Sequence, residues 1–385
     1  MQPLIVLNVV GLTPRHLGPL TPRLSAFAQR GGMREMQTTF PAVTCTTQAS
    51  FMTGLPPDQT GIVANGWLFR DLQEIWFWRQ SNRLVKGEKI WEAGKARNPQ
   101  FTCANLFWWY NMTSDHDFGA TPRPIYKADG RKLPDCFTVP TDWREKLTAR
   151  LGKFPLFNFW GPNTTIHSSR WIAKAAELAI TDFDPTLTLV YLPHLDYDLQ
   201  RFGPKDPRSD AARRDVDTLV GDLADFLEAR GVDVVIVSEY AITAVDRAVP
   251  LNKVLRDHDW LELKPEDGSE TLDVFNSKAF AVVDHQVAHV VVLDAAPRHL
   301  RGGNSRHTRN LRCAHAAPTD VLTESYGEDE LMADLLRVNG GETDEGPVED
   351  DRPDGGDHQG PRRLDHDEGG ALQQRATAGH LRRPP

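Results

Sequence analysis

Three hydroxyls, Thr44, Thr46 and Thr47, stand just ahead of a run, Gln48 to Thr53, that can form a helix. A hydroxyl at that position lies beside unpaired backbone N–H groups and the positive end of the helix dipole. An anion docked there meets preformed donors with an oxygen nucleophile in line. That chemistry is attack on phosphorus. The preceding Phe40-Pro41 keeps the approach extended, because the residue before a proline is pushed out of the helical region. Hydroxyls are also favoured as plain helix caps, so Thr44 is a candidate nucleophile with a structural alternative.

The wider pattern is FP-x-x-T from Phe40 to Thr44, TG-x-P from Thr53 to Pro56 and GI-x-x-N from Gly61 to Asn65. In this order and spacing it resembles the nucleophile region of the type I phosphodiesterase/nucleotide pyrophosphatase family, within the alkaline-phosphatase superfamily. The resemblance implies an α/β fold with a mostly parallel central sheet flanked by helices. It implies hydrolysis of phosphodiester or pyrophosphate bonds in a small, nucleotide-like substrate, with Thr44 as nucleophile between two divalent metal ions, usually zinc. Thr47 and the N–H groups after Thr44 would hold a phosphate oxygen.

Three buried strands should carry residues toward that threonine. Leu4 to Val10 is an apolar run broken only by Asn8 and ended by Gly11, and Leu187 to Leu192 and Val232 to Val237 are runs of the same kind, as in a parallel sheet covered on both faces. Asp196 follows the second, at the carboxyl end where open α/β sheets place their chemistry. Glu239 follows the third. Where the family carries metal ligands, the resemblance aligns Val10 with an aspartate, Asp196 with an aspartate, Gln200 with a histidine, and Glu239-Tyr240 with an Asp-His pair. Gly203-Pro204 matches the family's Gly-Pro. Valine binds no metal and glutamine binds zinc poorly. Asn8 is an alternative oxygen ligand, and His285, four residues before His289, a candidate nitrogen ligand. These substitutions mark a divergent member, and the other reading is an impaired relative acting as a binding or accessory protein.

Helices should fill the intervals. Thr21-Pro22 reads as N-cap and first helical residue, Ser168 or Ser169 as the cap of a helix through Ala179, and Ser209 to Arg230 repeats apolar residues at three- and four-residue steps. Between Trp67 and Pro140 the chain is rich in aromatic residues. Trp108, Trp109 and Tyr110 are expected at the rim of a site, where rings can stack on a base or cover an apolar group.

With 385 residues and 40% hydrophobic content the chain has ample material for a core. A net charge of -9 argues against a nucleic-acid scaffold. Four scattered cysteines, no segment long enough to span a bilayer and no signal-like N-terminus set a cytoplasmic expectation, away from the membrane. Oligomeric state is not legible. The expected division is a phosphodiesterase domain over 1–294, with a cap or substrate insertion at about 67–165, and a low-complexity tail over 295–385. That tail is expected to be disordered or the product of a frameshift, since its composition cannot bury enough surface to offset ordering entropy.

Overall fold

The computed structural model describes residues 1–128, 131–266 and 268–293; the expected tail lies outside the described residues. It divides into two compact units, the first running from Met1 to Ala248 and the second beginning at Val249.

In the first unit the apolar runs pair into a six-stranded sheet in the order Asp233–Val237, Leu4–Val9, Leu187–Leu192, Cys103–Leu106, Phe118–Pro122, Cys136–Val139. All neighbours are parallel except the last pair. The α/β sheet expected from sequence is therefore present. The Leu187–Leu192 strand is buried at every residue, as its unbroken apolar character requires. The stretch 67–165, expected as an inserted cap, supplies three of the six strands. Cys103–Leu106 packs directly beside Leu187–Leu192, so this stretch builds part of the core.

Helices Ile166–Phe183 and Ser209–Glu228 bury their apolar stripes against this sheet unit, with Ile172, Ala176, Val216, Val220 and Leu223 at 0–1% exposure. Each large aliphatic side chain buried this way contributes roughly 1.5–3 kcal/mol before entropy is set against it. Helix Pro22–Gly31 begins after Thr21, as expected, but Thr21 does not cap it: its hydroxyl donates to His16 O at 2.6 Å. Asp217 does the capping, from the facing helix, accepting the N–H groups of Arg23 at 3.2 Å and Leu24 at 2.8 Å. A buried carboxylate at a helix N-terminus is favoured by both the orphan donors and the dipole. The Ile166–Phe183 helix is capped by Thr165, which accepts from His167 N, rather than by Ser168 or Ser169.

The second unit holds helix Leu251–Asp257 and two antiparallel hairpins, Leu263–Glu266 with Ser269–Leu272 and Ala279–Asp284 with Val287–Val292. Asn252 ties the helix to the second hairpin, accepting Ala281 N at 2.7 Å and donating to Ala281 O at 2.9 Å. Among the described residues, no helix is long and apolar enough to cross a membrane.

Candidate active site

Parallel register brings the strand ends together. Asn8 lies opposite Val237 on one side and Tyr191 on the other, so the residues that follow Val237 and Leu192 emerge at the same edge as Asn8. Beyond Leu192 the chain enters helix His194–Phe202, which carries Asp196 and Gln200 one turn apart on one face. Beyond Val237 come Ser238, Glu239 and Tyr240.

Thr44 reaches the same place from another element. Val43, with φ of -132° and ψ of 158°, takes the N-cap position, and the helix spans Thr44–Thr53 before ending at Gly54 in the left-handed region, φ 69°. Thr44 is thus the first residue of the helix, four positions earlier than the run beginning at Gln48 suggests. Val43 O accepts Thr47 N–H at 3.0 Å, which closes that extra turn. Thr44 is 3% exposed, and its Oγ1 lies 3.5 Å from the Tyr240 hydroxyl.

Both acids are held by uncharged donors. The Tyr240 hydroxyl donates to Asp196 Oδ1 at 3.1 Å, and Gln200 Nε2 donates to Asp196 Oδ2 at 2.7 Å. Glu239, fully buried, accepts at Oε1 from Asn8 Nδ2 at 2.6 Å and Gln48 Nε2 at 2.5 Å. Burial pushes the Glu239 carboxyl up to about 7, opposed by the hydrogen bonds from Gln48 and Asn8 and by the Thr44 hydroxyl. Glu239 Oε2 has no hydrogen-bond partner in protein among the described residues, so Thr44 acts on the carboxylate from nearby without completing a bond in hydrogen-bond geometry. Burial also raises the Tyr240 and Tyr191 phenols well above their usual range, which leaves Tyr240 a neutral donor.

Thr44, Asn8, Asp196, Gln200 and Glu239 therefore form one bonded or near-contact group, together with Tyr240. The other sequence candidates have surroundings of their own. Thr47 is fully buried, with its hydroxyl 3.1 Å from that of Thr39, and the Cys45 N–H donates to Asn65 Oδ1 at 2.9 Å. Two of the groups expected to hold a phosphate oxygen are thus engaged within the protein. Trp108, Trp109 and Tyr110 are 1–2% exposed, packed in the core rather than open at a rim. After Cys103–Leu106 the backbone takes left-handed conformations at Phe107, φ 68°, and Tyr110, φ 58°, which tuck the rings inward. Trp109 stacks on Trp160 with ring centres 5.7 Å apart. His285 sits at the exposed tip of the Ala279–Val292 hairpin in the second unit, its Nε2 3.8 Å from Asp284, while His289 is 7% exposed.

Gln48 is the residue that reading from sequence missed. Its Nε2 holds Glu239 while its Oε1 accepts the Trp109 N–H at 2.7 Å, so one side chain joins the Thr44 helix, the acid and the aromatic turn. The available signal was its position one helical turn after Thr44, which places both on the same face.

A family profile described as type I phosphodiesterase/nucleotide pyrophosphatase matches residues 4–324. The chain belongs to this family. A relative in Schizosaccharomyces pombe, named an uncharacterized pyrophosphatase/phosphodiesterase, is 27% identical over 238 residues; the match covers 60% of this chain and 41% of the relative's length. Phosphonoacetate hydrolase from Sinorhizobium meliloti 1021, in complex with phosphonoacetate, superposes with a TM-score of 0.52 at 16% identity, covering 77% of this chain and 71% of that one. Murine ectonucleotide pyrophosphatase/phosphodiesterase 5, an inactive threonine-to-alanine variant in complex with AMP, gives a TM-score of 0.50 at 16% identity, covering 77% and 67%. Both are alike in fold, alkaline-phosphatase-like, with the mostly parallel sheet described above.

Divalent metal dependence is a property of the phosphodiesterase family, and the residues here can be tested for it by their chemistry. Zinc is held by thiolate, imidazole and carboxylate donors. Among the described residues, no group of three or more His, Cys, Asp or Glu side chains is placed to hold a metal ion. Three of the four carboxylate oxygens of Asp196 and Glu239 already accept from amide or hydroxyl hydrogens. Val10, buried at 0% exposure, offers only methyl groups. A two-zinc centre does not fit this donor set.

Proposed function

We propose that the protein hydrolyses a phosphodiester or pyrophosphate bond of a small, nucleotide-like substrate, with the Thr44 hydroxyl as the attacking group. The observation that carries this reading is the convergence of Thr44, at the first turn of its helix, with Glu239 and with the Tyr240–Asp196 pair, each from a different element. The threonine-to-alanine variant of the murine relative, described as inactive and bound to AMP, supports it.

In this scheme Glu239 takes the proton from Thr44 Oγ1 as that oxygen forms its bond to phosphorus. The bond to the leaving oxygen breaks with its electron pair, and the leaving oxygen takes the proton that Glu239 has just accepted. Water then attacks the phosphothreonine, giving a proton to Glu239; the Thr44–phosphorus bond breaks with its electrons on Oγ1, and Glu239 returns the proton to restore the hydroxyl. Gln48 and Asn8 hold Glu239 in place, and Tyr240 is near enough to Thr44 to orient its hydroxyl.

Turnover of bis-p-nitrophenyl phosphate by the full chain, beside Thr44→Ala, tests the reading. Measurable hydrolysis by the parent and its loss in the variant are expected. Hydrolysis that survives the substitution removes Thr44 as nucleophile. A parent that binds AMP without turning over any phosphodiester leaves the binding-protein reading in its place.

A further inference from the structure

We infer that this centre is built to keep its two carboxylates without any resident metal ion, uncharged hydrogen-bond donors standing where cations would be needed. The inference is independent of the hydrolase reading. A carboxylate withdrawn from water requires either a positive charge or a set of hydrogen bonds; left with neither it costs several kcal/mol. Here the second solution is complete for Asp196 at both oxygens, through Tyr240 and Gln200, and doubled at Glu239 Oε1, through Asn8 and Gln48.

The direction of these bonds decides the matter. A metal ion binds the lone pairs of a carboxylate, the same lone pairs these hydrogens occupy. The amide N–H groups of Asn8, Gln48 and Gln200 carry positive partial charge, so a cation placed at the same oxygens would face repulsion from the groups that now satisfy them. Each donor also comes from a separately fixed element: the Leu4–Val9 strand, the Thr44–Thr53 helix, the His194–Phe202 helix and the segment after Val237. A metal site that had merely lost ligands would leave its acids without donors. Here three of the four carboxylate oxygens meet one, and Glu239 Oε2 alone lacks a hydrogen-bond partner among the described residues.

The experiment uses the full chain purified from zinc-containing medium, with metal content measured by mass spectrometry and thermal unfolding followed in EDTA and in added zinc, manganese or magnesium. The expected result is below about 0.1 transition metal per chain, because among the described residues no group of ligands is placed to couple metal binding to folding. The melting temperature should stay within about 1 °C across these conditions, as no ligand favours the folded state. One or more tightly held metals per chain, or a clear rise in melting temperature with a metal, overturns the inference. Tyr240→Phe supplies the second arm, deleting the hydroxyl while keeping the ring. The melting temperature should drop by about 3–8 °C with no recovery on adding metal. No change would show that the hydroxyl does not hold Asp196, and would equally overturn the inference.

Discussion

Two buried polar clusters in the first unit solve the same physical problem to different degrees. Around Asp196 and Glu239 three amides and one phenol donate to the carboxylates, and they come from four elements. Around His116, 4% exposed, both ring nitrogens lack a hydrogen-bond partner among the described residues, as do Asn111 Oδ1 and Asn105 Nδ2. A neutral polar atom without a partner costs about 1–3 kcal/mol, whereas an unsupported buried charge costs several. The fold therefore supplies donors to three of the four acid oxygens, leaving Glu239 Oε2 without one, and supplies none to the imidazole. The first cluster surrounds the hydroxyl proposed to attack phosphorus; the second lies in packing, where His116 meets Trp91 edge-on with ring centres 6.0 Å apart.

Substitutions can break that contrast. The largest effect is expected at Thr44→Ala, with a fall in kcat/KM on the order of 10⁴-fold and little change in unfolding, since the hydroxyl proposed as nucleophile is removed and a small side chain retained. His116→Phe, by comparison, should leave turnover per folded molecule unchanged in the same assay. Next comes Gln48→Leu, which strips one amide from Glu239 and leaves the Trp109 N–H without its partner. A loss of about 2–5 kcal/mol in urea unfolding is expected; a loss under about 0.5 kcal/mol would mean the network does not support the acid.

Acid sharpens the difference further. Burial pushes the His116 imidazole from 6.5 down to about 4. Its folded value lies below its unfolded value, so the unfolded chain binds more protons between these limits. The contribution is complete above pH 6.5 and is lost as pH falls toward 4, by about 3 kcal/mol. His116→Phe should flatten this part of the stability profile measured by urea unfolding between pH 7 and 4. The smallest effect is expected at Gly119→Ala. An added Cβ would crowd His116 Nε2 and lie 3.1 Å from Asn111 Oδ1, costing about 1–3 kcal/mol in the same measurement without altering turnover.

The strands and the amphipathic Ser209–Glu228 helix were legible from apolar runs and three- and four-residue periodicity, except that Asp233–Val237, expected to be buried on both faces, is a partly exposed edge strand; the meeting of Thr44, Asp196 and Glu239 was legible from the family resemblance and acids at strand ends. Capping by Asp217 was not, since it accepts from a helix some 190 positions away in the chain. The burial of Trp108 to Tyr110 was not either, because it depends on the left-handed turns at Phe107 and Tyr110 that composition does not announce.

By itself the amino-acid order determined the layered α/β class and, through its likeness to the family, the Thr44 segment and the positions where that likeness expects metal ligands and finds other residues, because periodicity and side-chain identity are written along the chain. Only the tertiary structure decided what replaced them. Asn8, Gln200 and Tyr240 stand out in sequence only as departures from the family's ligand pattern and Gln48 not at all, and their common role as donors arises from parallel register and helix placement bringing hydrogens to lone pairs over distances of about 3 Å. Hydrogen bonding is that short-ranged, and no linear pattern records which oxygen a distant amide will meet.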